Sequence, residues 1–204
     1  MANLKEIRNR IASVSSTMQI TSAMKMVSAA KLKKAQDAIT AMRPYSDKLT
    51  ELIQNLSSSI DGDTPNPYTQ ERPVKKVLLV AITSNRGLCG GFNSNIIKAV
   101  NHYVEQNSKQ EISLITLGKK GNDILSKTKT IATNNNGIFD DLNFANTSDI
   151  AEGFMEAFAN KEYDKVVVMY NRFKNAATQI VTTIRFCECD DEFLVFFLLY
   201  LVPY

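Results

Sequence analysis

A chain of 204 residues and 22.8 kDa with a hydrophobic fraction of 44% suits a soluble globular protein of one domain or one and a half. A net charge of only +3 gives no global electrostatic argument for nucleic acid. Three cysteines, Cys89, Cys187 and Cys189, make no disulfide framework and point to a reducing compartment.

The chain opens directly on a helical pattern, with no apolar leader core and no Arg/Ser-rich transit stretch, which predicts a cytoplasmic protein of bacterial type. Small and apolar residues then recur in steps of three and four: Leu4, Ile7, Ile11, Val14, Met18, Thr21, Lys25, Ser28, Leu32, Ala35, Ile39, Met42, Ser46, Leu49, Ile53, Leu56 and Ile60. This is a coiled-coil seam held over residues 1–61, reaching ~85 Å if it is one helix. Asn3 can cap its start, with Glu6 as the capping-box partner. Pro44 predicts a kink at Arg43-Pro44-Tyr45 and not an end, because the seam keeps register through Leu49 and Leu56. The alternative is two shorter helices broken at the proline. An apolar stripe of this length needs a partner helix. In its middle Thr21, Lys25 and Ser28 replace large apolar residues, and from Ile7 to Gln36 there is no acidic residue. That stretch reads either as an ordinary exposed surface or as a smooth basic face meeting something other than a fixed partner.

Residues 62–73 hold Gly62, Pro65, Pro67 and Pro73 and read as a linker. From residue 74 to 186, apolar strands alternate with helical patterns. Strands are expected at Val74–Thr83, Ile112–Leu117, around Ile131, at Lys165–Tyr170 and at Thr178–Phe186. Helices are expected at Asn93–Gln106 with Asn93 or Ser94 as cap, at Lys119–Lys127, and at Thr147–Asn160 with Thr147 or Ser148 as cap. The alternation predicts an α/β fold: a Rossmann-like three-layer domain with a mostly parallel sheet, carrying the long coiled-coil helix.

The loop Ser84-Asn85-Arg86-Gly87-Leu88-Cys89-Gly90-Gly91-Phe92-Asn93 falls at the carboxyl end of the first strand, where such folds bind ligands. Its chemistry fits neither a Walker loop, which needs a Lys and a Ser/Thr, nor the G-x-G-x-x-G spacing. His102, the sole histidine, stands alone in a helical run, so no Ser/His/Asp or Cys/His machinery is expected. Cys187 and Cys189 are two ligands short of a zinc site, and Asp190-Asp191-Glu192 reads as a solvated acidic run. The apolar run Phe193–Val202 is roughly half the length of a membrane helix. No metal or cofactor is implied.

Leu4-Lys5-Glu6-Ile7-Arg8-Asn9-Arg10-Ile11-Ala12-Ser13-Val14, the stretch Ile20 to Lys31, Arg43-Pro44-Tyr45, and Arg86-Gly87-Leu88-Cys89-Gly90-Gly91-Phe92-Asn93 together resemble the gamma subunit of the rotary F-type ATP synthase. The similarity runs from about Met1 to about Ile184. The resemblance implies a non-catalytic central-stalk rotor that binds no nucleotide and no small-molecule substrate. Its N-terminal helix would pair with a long C-terminal helix and turn inside the ring of alpha and beta subunits. The α/β domain would sit beside the epsilon subunit and the c-subunit ring, at the cytoplasmic face of a bacterial inner membrane. Met24, Lys25, Lys31, Lys33 and Lys34 would face acidic loops of beta, with Arg86, Gly87 and Cys89 as the loop's contacts. Leu4, Ile7, Ile11, Val14, Met18, Leu32, Ile39, Leu49, Ile53 and Leu56 would form the coiled-coil seam. Residues 187–204 depart from the family: an apolar tail of the kind a frameshift produces stands where the C-terminal helix is expected. Two readings compete with the rotor: a nucleotide-binding α/β enzyme, by fold analogy, and a basic-helix module for nucleic acid or a membrane surface.

Overall fold

The computed structural model describes residues 3–59, 68, 72–175 and 178–186. The linker expected at 62–73 falls largely outside them, and the atypical tail at 187–204 falls wholly outside.

The first element is one α-helix, α1, Leu4–Ser59, with Pro44 inside it. The Asn3 side-chain oxygen accepts the Lys5 N–H at 3.3 Å, and the Asn3 carbonyl accepts from the Glu6 and Ile7 N–H groups, so Asn3 caps the start, through Lys5 and not through a capping box with Glu6. The helix runs on through the proline, and the two-helix alternative does not hold. The two hydroxyl residues in the seam, Thr21 and Ser28, are satisfied by the helix itself, whereas Lys25 is exposed. Thr21 Oγ1 donates to Thr17 O at 2.8 Å and Ser28 Oγ to Met24 O at 2.9 Å. Hydroxyls turned back onto the i−4 carbonyl present no outward donor of their own.

The rest is a five-stranded sheet of order β3-β2-β1-β4-β5. Its strands are β1 Lys76–Ile82, β2 Glu111–Leu117, β3 Ile131–Asn135, β4 Lys165–Asn175 and β5 Thr178–Phe186. The first four are parallel, and β5 returns antiparallel along β4. The helices are α2 Phe92–Gln106, α3 Lys119–Leu125 and α4 Phe144–Ala159, with a short 3-10 turn at Gly137–Phe139. β1 is central and buried on both faces, which is why its sequence is an unbroken apolar run.

Alternation along the strands divides the core in two. Val77, Leu79, Ala81, Val167 and Met169 pack with Ile96, Ile97 and Val100 of α2 and Leu125 of α3. Leu78, Val80, Ile82, Val166, Val168 and Tyr170 pack on the opposite face with Ala151, Phe154 and Phe158 of α4. The result is the expected three layers. Each fully buried Val, Leu or Phe contributes roughly 1.5–3 kcal/mol, and neither cluster includes a residue of α1.

Two caps differ from expectation. Helix α2 starts after Gly91 with no side-chain cap, because Asn93 is used to hold the preceding loop. Helix α4 starts three residues early and is capped by Asn143, whose Oδ1 accepts the Asn146 N–H at 2.9 Å, not by Thr147 or Ser148. Thr147 is buried, and its hydroxyl donates to Asn143 O.

At the opposite, amino end of the sheet, Asp164 Oδ2 accepts the N–H groups of Lys75 and Lys76, each at 2.9 Å. The Lys76 bond, helped by the one from Lys75 and by the charges of Arg72 and Lys75, holds the carboxyl below its usual value despite some desolvation.

Candidate functional site

Two regions carry the site residues expected from sequence, and they belong to different elements: the loop after β1 and the upper part of α1.

The loop is tied at its base and open at its tip. Ser84 N–H donates to Asn93 Oδ1 at 3.0 Å, and Ser84 Oγ donates to Arg86 O at 2.6 Å. Asn93 Nδ2 donates to Ser84 Oγ at 2.9 Å and to Cys89 Sγ at 3.1 Å. Asn85 bridges sideways: its Oδ1 accepts the Lys119 N–H and its Nδ2 donates to Asn136 O, both at 2.9 Å. Lys120 N–H reaches Ser84 O at 3.1 Å, and Asn171 Nδ2 reaches Phe92 O at 2.8 Å. The ends of β1, β2, β3 and β4 are thus laced to one short turn. Arg86, Gly87, Leu88 and Cys89 stand exposed beyond it.

The glycines of this turn are not equivalent. Gly90 sits at φ +59 with open space around it, so it supplies the left-handed residue. At Gly87 an added Cβ would meet only Lys120 Cε at 3.6 Å, an ordinary contact. The close backbone approach occurs elsewhere: at Gly118, φ +108, a Cβ would lie 2.0 Å from Thr83 O. A second left-handed residue in the turn is Leu88, φ 63. Sequence reasoning gave Leu88 no role and took Asn93 for a helix cap, since neither backbone handedness nor the Ser84–Asn93 pairing has a local pattern.

On α1, Met24, Lys25, Lys31, Lys33 and Lys34 are all exposed. Among the described residues the ion pairs are Lys48–Glu51 and Lys120–Asp123, so none of these four lysines is in one. Val14, Thr17, Met18, Thr21, Ser22 and Lys25 line an open groove along the helix. The seam residues Leu4, Ile7, Ile11, Val14 and Met18 are exposed, Leu32 and Leu49 are half-buried, and Ile39 is buried. The side chains of Ile53 and Leu56 lie outside the described set. Arg43 joins the helix to the domain, its Nη2 donating to Phe173 O in β4 at 3.0 Å. His102 is exposed and its ring nitrogen pairs with Gln106 at 2.9 Å. Burial pushes the Tyr103 phenol up, against the nearby Arg185 charge. Among the described residues no cluster of His, Cys, Asp or Glu has metal-binding geometry, and no helix is long and apolar enough to cross a membrane.

The structure is a long helix with an open apolar stripe and a basic wall, mounted on a Rossmann-like α/β domain. A family model described as ATP synthase matches residues 3–193. The chain is 63% identical over 186 residues to the ATP synthase gamma chain of Flavobacterium johnsoniae, covering 91% of this chain and 65% of that relative. It is 61% identical to the ATP synthase gamma chain of Christiangramia forsetii, covering 94% and 67%. Among solved structures it is similar to one of the Tetrahymena thermophila mitochondrial ATP synthase central stalk and c-ring. The TM-score is 0.67 and the identity 27%, over 90% of this chain and 88% of that one. The Euglena gracilis mitochondrial ATP synthase rotor shares the fold, with a TM-score of 0.55 at 22% identity over 88% and 61% of the two chains. The chain belongs to the family of ATP synthase gamma chains. It spans about 65% of the length of the Flavobacterium johnsoniae relative.

Proposed function

We propose that this chain is the central-stalk rotor subunit of a bacterial F-type ATP synthase. It is non-catalytic itself and couples proton flow through the c-subunit ring to ATP synthesis or hydrolysis in the alpha–beta ring. Its partners are alpha, beta, epsilon and the c ring, and its place is the cytoplasmic face of the inner membrane, held there by the complex. The observation that carries this reading is the upper half of α1: unbroken, exposed, free of acidic residues from Ile7 to Gln36, with its lysines outside any described ion pair.

Physically, the helix is the shaft and the charges are the bearing. Lys25, Lys31, Lys33 and Lys34 present positive charge without a fixed bonding geometry, and Met24 lies beside Lys25 on the same exposed wall. Attraction to acidic loops of beta persists over several ångströms and through many rotational positions, unlike a hydrogen bond. Arg86, Gly87 and Cys89 offer a second, lower contact. The seam from Leu4 to Met18 would be covered by an antiparallel helix of the gamma architecture. The nucleotide-enzyme reading is not favoured by the relatives.

Co-expression with alpha and beta subunits of a bacterial ATP synthase tests the proposal. The chain should co-purify with the ring, while the isolated chain should show no saturable heat with magnesium-ATP. Absence of any ring association, or a micromolar nucleotide affinity, removes the rotor reading.

A further inference from the structure

The asparagines that end β3 and follow it are not held alike. Asn134 Oδ1 accepts the Thr116 hydroxyl at 3.1 Å, and Asn135 Oδ1 accepts the Ile138 N–H at 3.2 Å. Asn136 Oδ1 is buried with no hydrogen-bond partner among the described residues, so the amide has no bond through that oxygen to lose by turning. Gly137 follows it, exposed and with no side chain to shield its backbone nitrogen. What fixes Asn136 is its carbonyl, which accepts Asn85 Nδ2 at 2.9 Å.

We propose that Asn136–Gly137 is a self-modification site restrained by the Asn85 tie. The Gly137 amide nitrogen gives its proton to a solvent base and attacks Asn136 Cγ. The Cγ–Nδ2 bond breaks and ammonia leaves, closing a cyclic succinimide. Water then opens either carbonyl of the ring, leaving aspartate or isoaspartate and a new negative charge. No oxidant, metal or partner subunit takes part, so the site stands apart from the rotor reading. At ψ −26 the Gly137 nitrogen is turned away from ring closure. The peptide plane must swing about Asn136, and that motion carries the carbonyl off Asn85. Cyclisation and this part of the lacing of the turn after β1 exclude one another, and Asn85 slows the first by holding the second. An isoaspartate product runs the chain through Cβ and Cγ, which lengthens the link from β3 to the 3-10 turn and slackens the tie.

The test ages the whole chain at mildly alkaline pH and follows it by peptide mapping with isoaspartate detection. Conversion should appear first at Asn136, ahead of Asn134 and Asn135, and should run faster in the urea-unfolded chain. Asn85→Asp keeps an acceptor for the Lys119 N–H and removes the donor to Asn136. It should speed conversion about fivefold, the equivalent of one hydrogen bond. At Gly137 an added Cβ would meet only Asn135 Oδ1, at 4.0 Å, so Gly137→Ala fits the fold. It should slow conversion at least about threefold by stiffening the attacking residue, with the melting temperature nearly unchanged. Conversion spread evenly over the three asparagines overturns the site. So does an unconverted folded chain after a period in which the unfolded chain converts fully. An Asn85→Asp rate equal to that of the unchanged chain overturns the restraint.

Discussion

At the scale of single residues, the decisive constraints are close approaches that composition does not reveal. Gly118 is packed so tightly on Thr83 that a methyl group would overlap the Thr83 carbonyl, and its φ of +108 is costly for any other residue. Gly118→Ala should therefore lower stability by about 3 kcal/mol or more. Gly90→Ala, in open space at φ +59, should cost only about 1 kcal/mol. Urea denaturation of the two variants checks the order, and equal losses would show that the Gly118 turn can relax. Asp164 gives a pH prediction. Its folded carboxyl is held below the usual 3.8 by the Lys76 and Lys75 amides. A depressed carboxylate contributes stability above its unfolded pKa and loses it as pH falls through the folded value. The unchanged chain should thus lose melting temperature on acidification below about pH 4. Asp164→Asn should start lower at neutral pH and show a shallower fall over that window. A parallel fall in both proteins would assign the acid sensitivity to other groups.

At the scale of elements, stability is unevenly distributed. The strands are protected by side chains on both faces, whereas Leu4, Ile11, Val14, Met18 and Met24 of α1 are each more than half exposed. Helices held without tertiary burial open readily. Amides from Ile7 to Met24 should exchange orders of magnitude faster than those of Leu78 to Ala81 in the isolated chain. Equal protection would mean that the seam is covered in solution. The same contrast explains what the sequence made legible. The apolar run of β1, the alternation of strand and helix and the unbroken seam are period signals, and they gave the architecture and the passage through Pro44. The caps of α2 and α4 were missed because tertiary demands outranked local preference: Asn93 was recruited to Ser84, and burial of Thr147 moved the cap back to Asn143. The site was legible as a motif and as an acid-free span. The left-handed Leu88 and the lacing by Asn85 were not, because they depend on residues brought from the far ends of other strands.

At the scale of the whole molecule, charge is segregated. The span Leu4 to Gln36 holds seven basic residues and one acidic one, while the whole chain is only +3, so the rest is net negative. The proposed rotor role needs attraction to a housing that does not fix one angle, and dispersed lysines on an exposed helix would meet that need better than a bonded network. Lys31, Lys33 and Lys34 are exposed and outside the described ion pairs, so replacing all three by glutamate should leave thermal stability within about 0.5 kcal/mol. The same replacement reverses the local field. Association with alpha–beta rings should slow by at least about tenfold at low ionic strength. The defect should shrink as salt shortens the screening distance from about 30 Å at 0.01 M to about 3 Å at 1 M. Stopped-flow association rates across that range check it. A defect independent of salt would mean that the lysines act through shape and not through charge. No defect at low salt would mean that the basic wall of α1 does not face the ring.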